Sequence, residues 1–219
     1  AGYAKERHKE MLAIFDVVYT PLKDWNIKGT VASYTHNNTS RSRSKTYHLY
    51  DADGNIARTE NLIPSLKEAN SYSYRTQIQF ISDYKFSLKE QHNFSFLAGY
   101  SQEYYKTDNF WASIDNMPFD DIDVLDTGSS NLQNGGNAQD VAIQSVFGRV
   151  NYDYMGKYLF EASVRSDGSS RFAKGHRWGV FPSFSGGWNL QREKFLEKFN
   201  WLSELKIRLS WGTLGDAEK

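Results

Sequence analysis

An all-β, antiparallel chain that crosses a membrane as part of a barrel wall is the fold this 219-residue sequence predicts, on three observations. The first is an unbroken alternation from Tyr72 to Leu88. One parity carries Tyr72, Tyr74, Ile78, Phe80, Tyr84, Phe86 and Leu88, and the other carries Ser73, Arg75, Gln77, Gln79, Asp83, Lys85 and Ser87. Period-two alternation puts one face of a strand in oil and the other in water. At about 3.4 Å per residue the run reaches about 58 Å. Soluble strands average about 5–6 residues, whereas an apolar band of about 25 Å calls for long, tilted strands. The second observation is a rhythm of connections, short on one side and long on the other. The third is an aromatic content of 16%, which suits rings of Tyr and Trp at two lipid–water boundaries and also suits a carbohydrate-binding surface.

The elements follow in order. Met11 to Thr20 is a first strand, closed at Pro21-Leu22-Lys23-Asp24, where proline presets φ and lacks a ladder donor. Trp25 to Thr35 returns, and His36 to Ser71 is a long polar connection. Tyr72 to Leu88 turns at Lys89-Glu90-Gln91-His92 into Asn93 to Tyr105, followed by the long connection Lys106 to Val141. Ala142 to Tyr154 turns at Met155-Gly156 into Lys157 to Ser166. After Asp167 to Gly179 comes a strand from Val180 to Gln191, an amphipathic helical stretch from Arg192 to Phe199, and a last strand from Leu205 to Gly212. The result is about eight strands in an up-and-down meander without an internal domain boundary.

Composition narrows the function classes. Lys plus Arg equals Asp plus Glu at 26 each, so no net field favours nucleic acid. No run of eighteen apolar residues supplies a transmembrane helix, and Ala1 to Glu10 lacks the apolar core of a signal peptide. Cysteine is absent, which removes disulfides and thiol chemistry.

The stretch from Phe147 to Gly215 is more specific than a strand pattern requires. It contains Gly148-Arg149-Val150-Asn151-Tyr152-Asp153-Tyr154, Gly156-Lys157-Tyr158-Leu159, Asp167-Gly168-Ser169-Ser170-Arg171-Phe172, Arg177-Trp178-Gly179-Val180-Phe181-Pro182-Ser183 and Gly187-Trp188. Further on, the sequence runs Trp201-Leu202-Ser203-Glu204-Leu205-Lys206-Ile207-Arg208-Leu209-Ser210-Trp211-Gly212. This order closely resembles the SusC/RagA-like TonB-linked outer-membrane transporters. About seventy residues carry the match, and the first 140 fit in architecture only. The resemblance implies a plugged barrel of roughly 22 strands, of which residues 1–219 are an internal part without plug or TonB-contacting segment. It also implies import of oligosaccharides or peptides, energy relayed by TonB, a SusD-like surface lipoprotein as partner, and contact with outer-membrane lipid.

Candidate site residues are weighed against plainer roles. Asp167 and Arg171 could meet the lumen or a partner; turn chemistry favours a capped loop. Tyr104, Tyr105, Phe110 and Trp111, at the start of a long connection, could stack on sugar rings; a girdle with loop packing is the plainer role. Asp51-Ala52-Asp53-Gly54-Asn55 fails the calcium-loop spacing and reads as a hairpin tip, and Asp120-Asp121-Ile122-Asp123 reads as a solvated loop. The five histidines lack zinc spacing, and no nucleophile elbow occurs, so no metal, cofactor or catalytic residue is assigned. Arg75, Gln77, Gln79, Arg149, Asn151, Arg165, Lys206 and Arg208 are expected to face the lumen, and Trp188 and Trp211 the lipid. Two alternatives stay open: a small self-contained eight-stranded barrel serving as an adhesin or anchor, and a soluble β-sandwich that binds carbohydrate. The loop-like end Gly215 to Lys219 favours a part of a larger barrel over the former.

Overall fold

The computed structural model describes residues 2–196, 198, 201 and 203–215. Its strands in chain order are β1 (Tyr3–Leu22), β2 (Trp25–Ser44), β3 (Tyr47–Tyr50), β4 (Ile56–Glu60), β5 (Ser65–Leu88), β6 (His92–Asp115), β7 (Ser130–Tyr154), β8 (Tyr158–Ser169), β9 (Trp178–Asn189) and β10 (Lys206–Gly212). Eight form one antiparallel sheet in the order β1-β2-β5-β6-β7-β8-β9-β10, and β3 pairs with β4 as a separate hairpin. The sheet is open, with β1 and β10 as its edges. A self-contained eight-stranded barrel would instead join those two strands.

The predicted strands are all present, and five are extended by five residues or more beyond what their alternation suggested. β1 begins at Tyr3, β2 runs to Ser44, β5 starts at Ser65, β6 continues to Asp115, and β7 starts at Ser130. Much of the two long polar connections is therefore strand. Alternation marks a strand only where its two faces meet different media; backbone ladders persist where both meet water. The helix expected over Arg192–Phe199 does not form among its described residues. A 3-10 turn occupies Leu190–Arg192, and Glu193 is extended at φ −84°, ψ 138°. Its carboxylate is held from outside the turn by Tyr158, Trp188 and Lys157; Glu197 and Phe199 lie outside the described residues.

Tight turns close one rim. The Met155-Gly156 turn has both central residues at positive φ, 53° and 68°, and Lys157 N–H donates to the Tyr154 carbonyl at 2.8 Å. Positive φ at both positions is the type I′ requirement, which matches the twist of the flanking strands. From there β8 pairs with β7 from Tyr158↔Tyr154 to Ser169↔Ile143, and with β9 from Tyr158↔Trp188 to Gly168↔Trp178.

The chain divides into two units. The first comprises residues 1–13, 33–75 and 105–140, and has a small core of Leu66, Ile114 and Met117 with Leu125 packed against it. The second comprises residues 14–32, 76–104 and 141–219. In the second, large apolar side chains are displayed rather than buried: Phe80 is 55% exposed, Phe184 46% and Leu209 77%.

Candidate functional site

Strand parity sorts the second unit into two chemically distinct faces. On the polar face, Lys28 pairs with Asp16 at 3.1 Å, and Asn26 donates to Asp83 Oδ2 at 3.3 Å. Ser87 donates to Asn93 Oδ1 at 2.6 Å, and Asn93 to Asp153 Oδ1 at 3.4 Å. Ser163 and Ser183 share a hydrogen bond of 2.7 Å, and Arg208 donates to Ser185 Oγ at 3.5 Å. These contacts link every strand of the sheet in turn from β1 to β7 and again from β8 to β10. Residues two apart share a face, so Gln77, Gln79, Arg149, Asn151, Arg165, Lys206 and Arg208 all lie on it. A concavity of about 700 Å³ opens here, lined by Lys23, Lys85, Lys206 and Arg208 together with Asp24, Asp153 and Glu161. Charges of both signs make it a polar surface rather than an anion or cation trap.

The opposite face carries a continuous aromatic row beside the tight turns. Trp25 meets Tyr84 edge-on at 6.5 Å, Tyr84 meets Phe86, and Phe86 stacks on Phe94 at 5.0 Å. Phe94 meets Tyr152 at 4.9 Å, Tyr154 meets Tyr158, and Tyr158 stacks on Trp188 at 6.2 Å. The polar tips in this row are satisfied. Trp25 Nε1 donates to Ser82 Oγ at 2.9 Å, His92 Nδ1 and the Tyr152 hydroxyl lie 2.8 Å apart, and Glu193 accepts from Trp188 and Tyr158. The Trp188 indole and Tyr158 hydroxyl hold the Glu193 carboxyl below the usual carboxylate range. Rings with an apolar body and a satisfied tip fit an oil–water boundary. Trp211 stacks on Phe184 at 6.0 Å on the same face.

The four aromatic candidates lie inside β6 rather than on a loop, so they alternate instead of clustering. Tyr105 and Trp111 take one face of the first unit. There the Arg75 guanidinium stands 5.5 Å from the Tyr105 ring centre and Lys67 Nζ 4.8 Å from that of Trp111. Phe110 takes the other face and is 60% exposed, and Tyr104 belongs to the second unit.

Asp167 lies within β8, and Arg171 lies just beyond its end at Ser169. Asp167 accepts from Arg165 Nε at 2.7 and 2.9 Å, while Arg165 also donates to Ser145 Oγ at 3.0 Å and stands 5.5 Å from the Phe147 ring centre. The rest of the motif is a strand end rather than a free loop. Ser170 N–H donates to the Ala142 carbonyl, the Ala142 N–H donates back to Ser170 Oγ, and Ser169 N–H donates to the Arg177 carbonyl. Gly168 lies against Trp178, where a Cβ would fall 2.7 Å from the ring. The motif thus fastens β8 to both neighbours.

The acidic candidates also have defined partners. Asp51 Oδ1 accepts the N–H groups of Asp53 and Asn55 at 3.0 and 2.8 Å, capping the β3–β4 hairpin tip beside Gly54 at φ 82°. The Asn55 amide leads in holding its carboxyl below the ordinary range. Asp123 accepts from the Tyr3 hydroxyl and from Arg43 Nε.

Arg43, which no sequence signal singled out within its polar stretch, is only 1% exposed. It donates to Asp123 at 3.1 Å and to the carbonyls of Ser44 at 2.9 Å, Ser65 at 3.3 Å and Phe119 at 2.9 Å. Lys45 donates to the Asp120 carbonyl, and Met117 N–H to that of Pro64. A planar guanidinium with five donors suits this convergence of acceptors. The clamp fixes the connection between β6 and β7, with Phe119 and Val124 exposed upon it.

An open antiparallel sheet with one polar face and one aromatic-belted apolar face defines the wall of a membrane β-barrel. The chain is 54% identical over 71 residues to the TonB-dependent receptor SusC of Bacteroides thetaiotaomicron, covering 32% of this chain and 7% of that protein. It is 31% identical over 151 residues to TonB-dependent receptor P3 of Formosa agariphila, covering 67% and 15%. Against receptor P26 of the same organism it is 27% identical over 215 residues, covering 94% and 20%. Among solved structures it superposes on the RagAB peptide transporter with a TM-score of 0.89 at 24% identity, over 100% of this chain and 24% of that one. No protein-family model matches the chain. The chain belongs to the SusC/RagA-like family of TonB-dependent outer-membrane transporters and corresponds to part of their barrel. It spans between 7% and 20% of the length of these curated relatives.

Proposed function

We propose that residues 1–219 form wall and rim of an outer-membrane transporter that imports oligosaccharides or peptides. TonB supplies the energy, and a SusD-like surface lipoprotein works at the extracellular mouth. The 54% identity to SusC carries this reading; the likeness in fold to a chain of the RagAB peptide transporter supports it. The whole span belongs to the barrel domain, and its role is transport rather than catalysis.

In this reading the polar face, with Arg75, Gln77, Gln79, Arg149, Arg165 and Arg208, lines the lumen, and the aromatic-belted face meets lipid. Tight turns face the periplasm, and the connection fixed by Arg43 lies at the outer mouth. Tyr105 and Trp111 offer ring faces to a sugar or peptide near that mouth.

The absence of cysteine from this span gives a clean test. In the membrane-embedded protein, Gln79→Cys should react with a water-soluble maleimide, while Phe80→Cys should react only with a lipid-partitioning one. Equal reaction of both with the soluble reagent would overturn the assignment of faces. Loss of oligosaccharide or peptide uptake on disrupting the gene tests the transport role, and undiminished uptake of both classes would overturn it.

A further inference from the structure

Where β6 and β7 run side by side within the first unit, one face is rich in hydrogen-bonding groups and poor in charge. On β6 its positions are Tyr105, Thr107, Asn109, Trp111 and Ser113, and on β7 Asn131, Gln133, Gly135, Asn137 and Gln139. Three contacts tie the two rows together. Asn109 donates to Asn137 Oδ1 at 2.8 Å, Asn131 donates to Asp115 Oδ2 at 2.8 Å, and the Trp111 indole lies against Gly135. Asn137 and Gln139 are exposed, and Asn109 and Trp111 half-buried. β5 continues the face with Ser71 and Ser73 between Lys67 and Arg75.

The opposite face of the neighbouring strands is built differently. It carries ion pairs, Arg41 with Glu68 and Lys106 with Asp108. On the amide face the charges are few and of both signs. Lys67 and Arg75 stand over the Trp111 and Tyr105 rings, and Asp115 accepts from Asn131. Toward β1, Glu10 contacts His36 and Glu6 contacts His8.

Side-chain amides and hydroxyls donate and accept alike, so they match a sugar hydroxyl in either role. Without a dominant charge they favour a neutral ligand over an ionic one. Aromatic rings supply the apolar counterpart to the C–H face of a sugar. Glycine at position 135 is what lets the indole lean across β7, since a Cβ there would fall 2.8 Å from Nε1. Tyr105 and Trp111 stand about 20 Å apart along the strand, a span that takes several linked sugar rings rather than one.

We propose that this face binds a neutral oligosaccharide, with sugar rings against Trp111 and Tyr105 and hydroxyls bonded by Asn109, Asn137 and Gln139. This rests on the reading of the chain as a transporter wall, and it narrows the cargo at this site from oligosaccharide or peptide to the former.

The test is calorimetric titration of the intact protein in detergent with maltohexaose, cellohexaose, mannohexaose and xylohexaose, and with hexapeptides that carry lysine and glutamate. The parent should bind at least one of the hexasaccharides. Trp111→Ala should weaken that binding about tenfold, and Asn109→Ala with Asn137→Ala roughly fivefold. Trp111→Phe, which keeps a ring, should recover most of the loss. Phe110→Ala, the adjacent residue on the opposite face, should behave as the parent. Unchanged affinity in Trp111→Ala, or an equal loss in Phe110→Ala, overturns the site. Binding of the hexapeptides in place of every hexasaccharide overturns the ligand class and leaves the transport reading standing, and binding of neither class also overturns the proposal. Uptake that survives disruption of the gene would instead overturn the transport reading itself.

Discussion

Arg43 shows how much one side chain can organise at a rim. It is buried, yet every contact it makes is to oxygen, so its charge is compensated by a carboxylate and three carbonyls. Removing one partner of a buried charged cluster costs far more than removing an exposed pair. Arg43→Met should lower the local opening free energy of residues 116–129 by about 2–4 kcal/mol. Hydrogen exchange should speed up there while the β7–β8 ladder stays protected. Asp123 adds a pH dependence. The Tyr3 hydroxyl first, and then Arg43, hold its carboxyl below the ordinary range. A depressed folded value stabilises fully above the unfolded pKa of about 4 and is lost as pH falls through the folded value. The opening free energy of the connection, taken from exchange rates divided by their intrinsic values at each pH, should therefore be level from pH 5 to 7 and fall below about pH 4. Asp123→Asn should abolish that fall. None of this was legible in sequence, because an arginine in a polar stretch carries no mark of the carbonyls that will converge on it.

Strands were far more legible than sites, and the reason is local. Tyr72–Leu88 was read correctly because apolar and polar residues alternate along it, whereas its continuation to Ser65 buries a single large apolar side chain, Leu66, and prints no alternation. The same blindness moved Phe110 and Trp111 onto a loop, when they are strand neighbours on opposite faces. Turn chemistry was read by position but not by strain. Lys89 and Glu90 hold φ of 51° and 57°, a region that disfavours residues with a Cβ. Replacing them by Asn-Gly, the pair this turn geometry prefers, should stabilise the β5–β6 hairpin by about 1 kcal/mol. The folded band on a semi-native gel should persist to higher temperature; a lower transition would show that the native side chains contribute contacts beyond the turn.

At the scale of the molecule, the sheet order and the family were both readable, the first from the rhythm of connections and the second from the motifs after Phe147. What those motifs do was not. The Asp167–Phe172 segment, read chiefly as a capped loop, begins as the end of β8 and bonds to the strands on both sides. The two-faced sheet also makes a spectroscopic prediction. In bilayers containing brominated lipid, a variant retaining Trp188 alone should be strongly quenched, and one retaining Trp111 alone should keep most of its emission. Equal quenching would contradict the lipid and water assignments of the two faces.

The aromatic row from Trp25 to Trp188 has a bearing on how such proteins diversify. It is tied by ring contacts across successive strands and lies beside the tight turns, so the depth of the wall in the bilayer is set from that side. Strands can then lengthen at the far end, and connections there can be exchanged, without resetting that depth. A wall anchored at one margin can vary freely at the other.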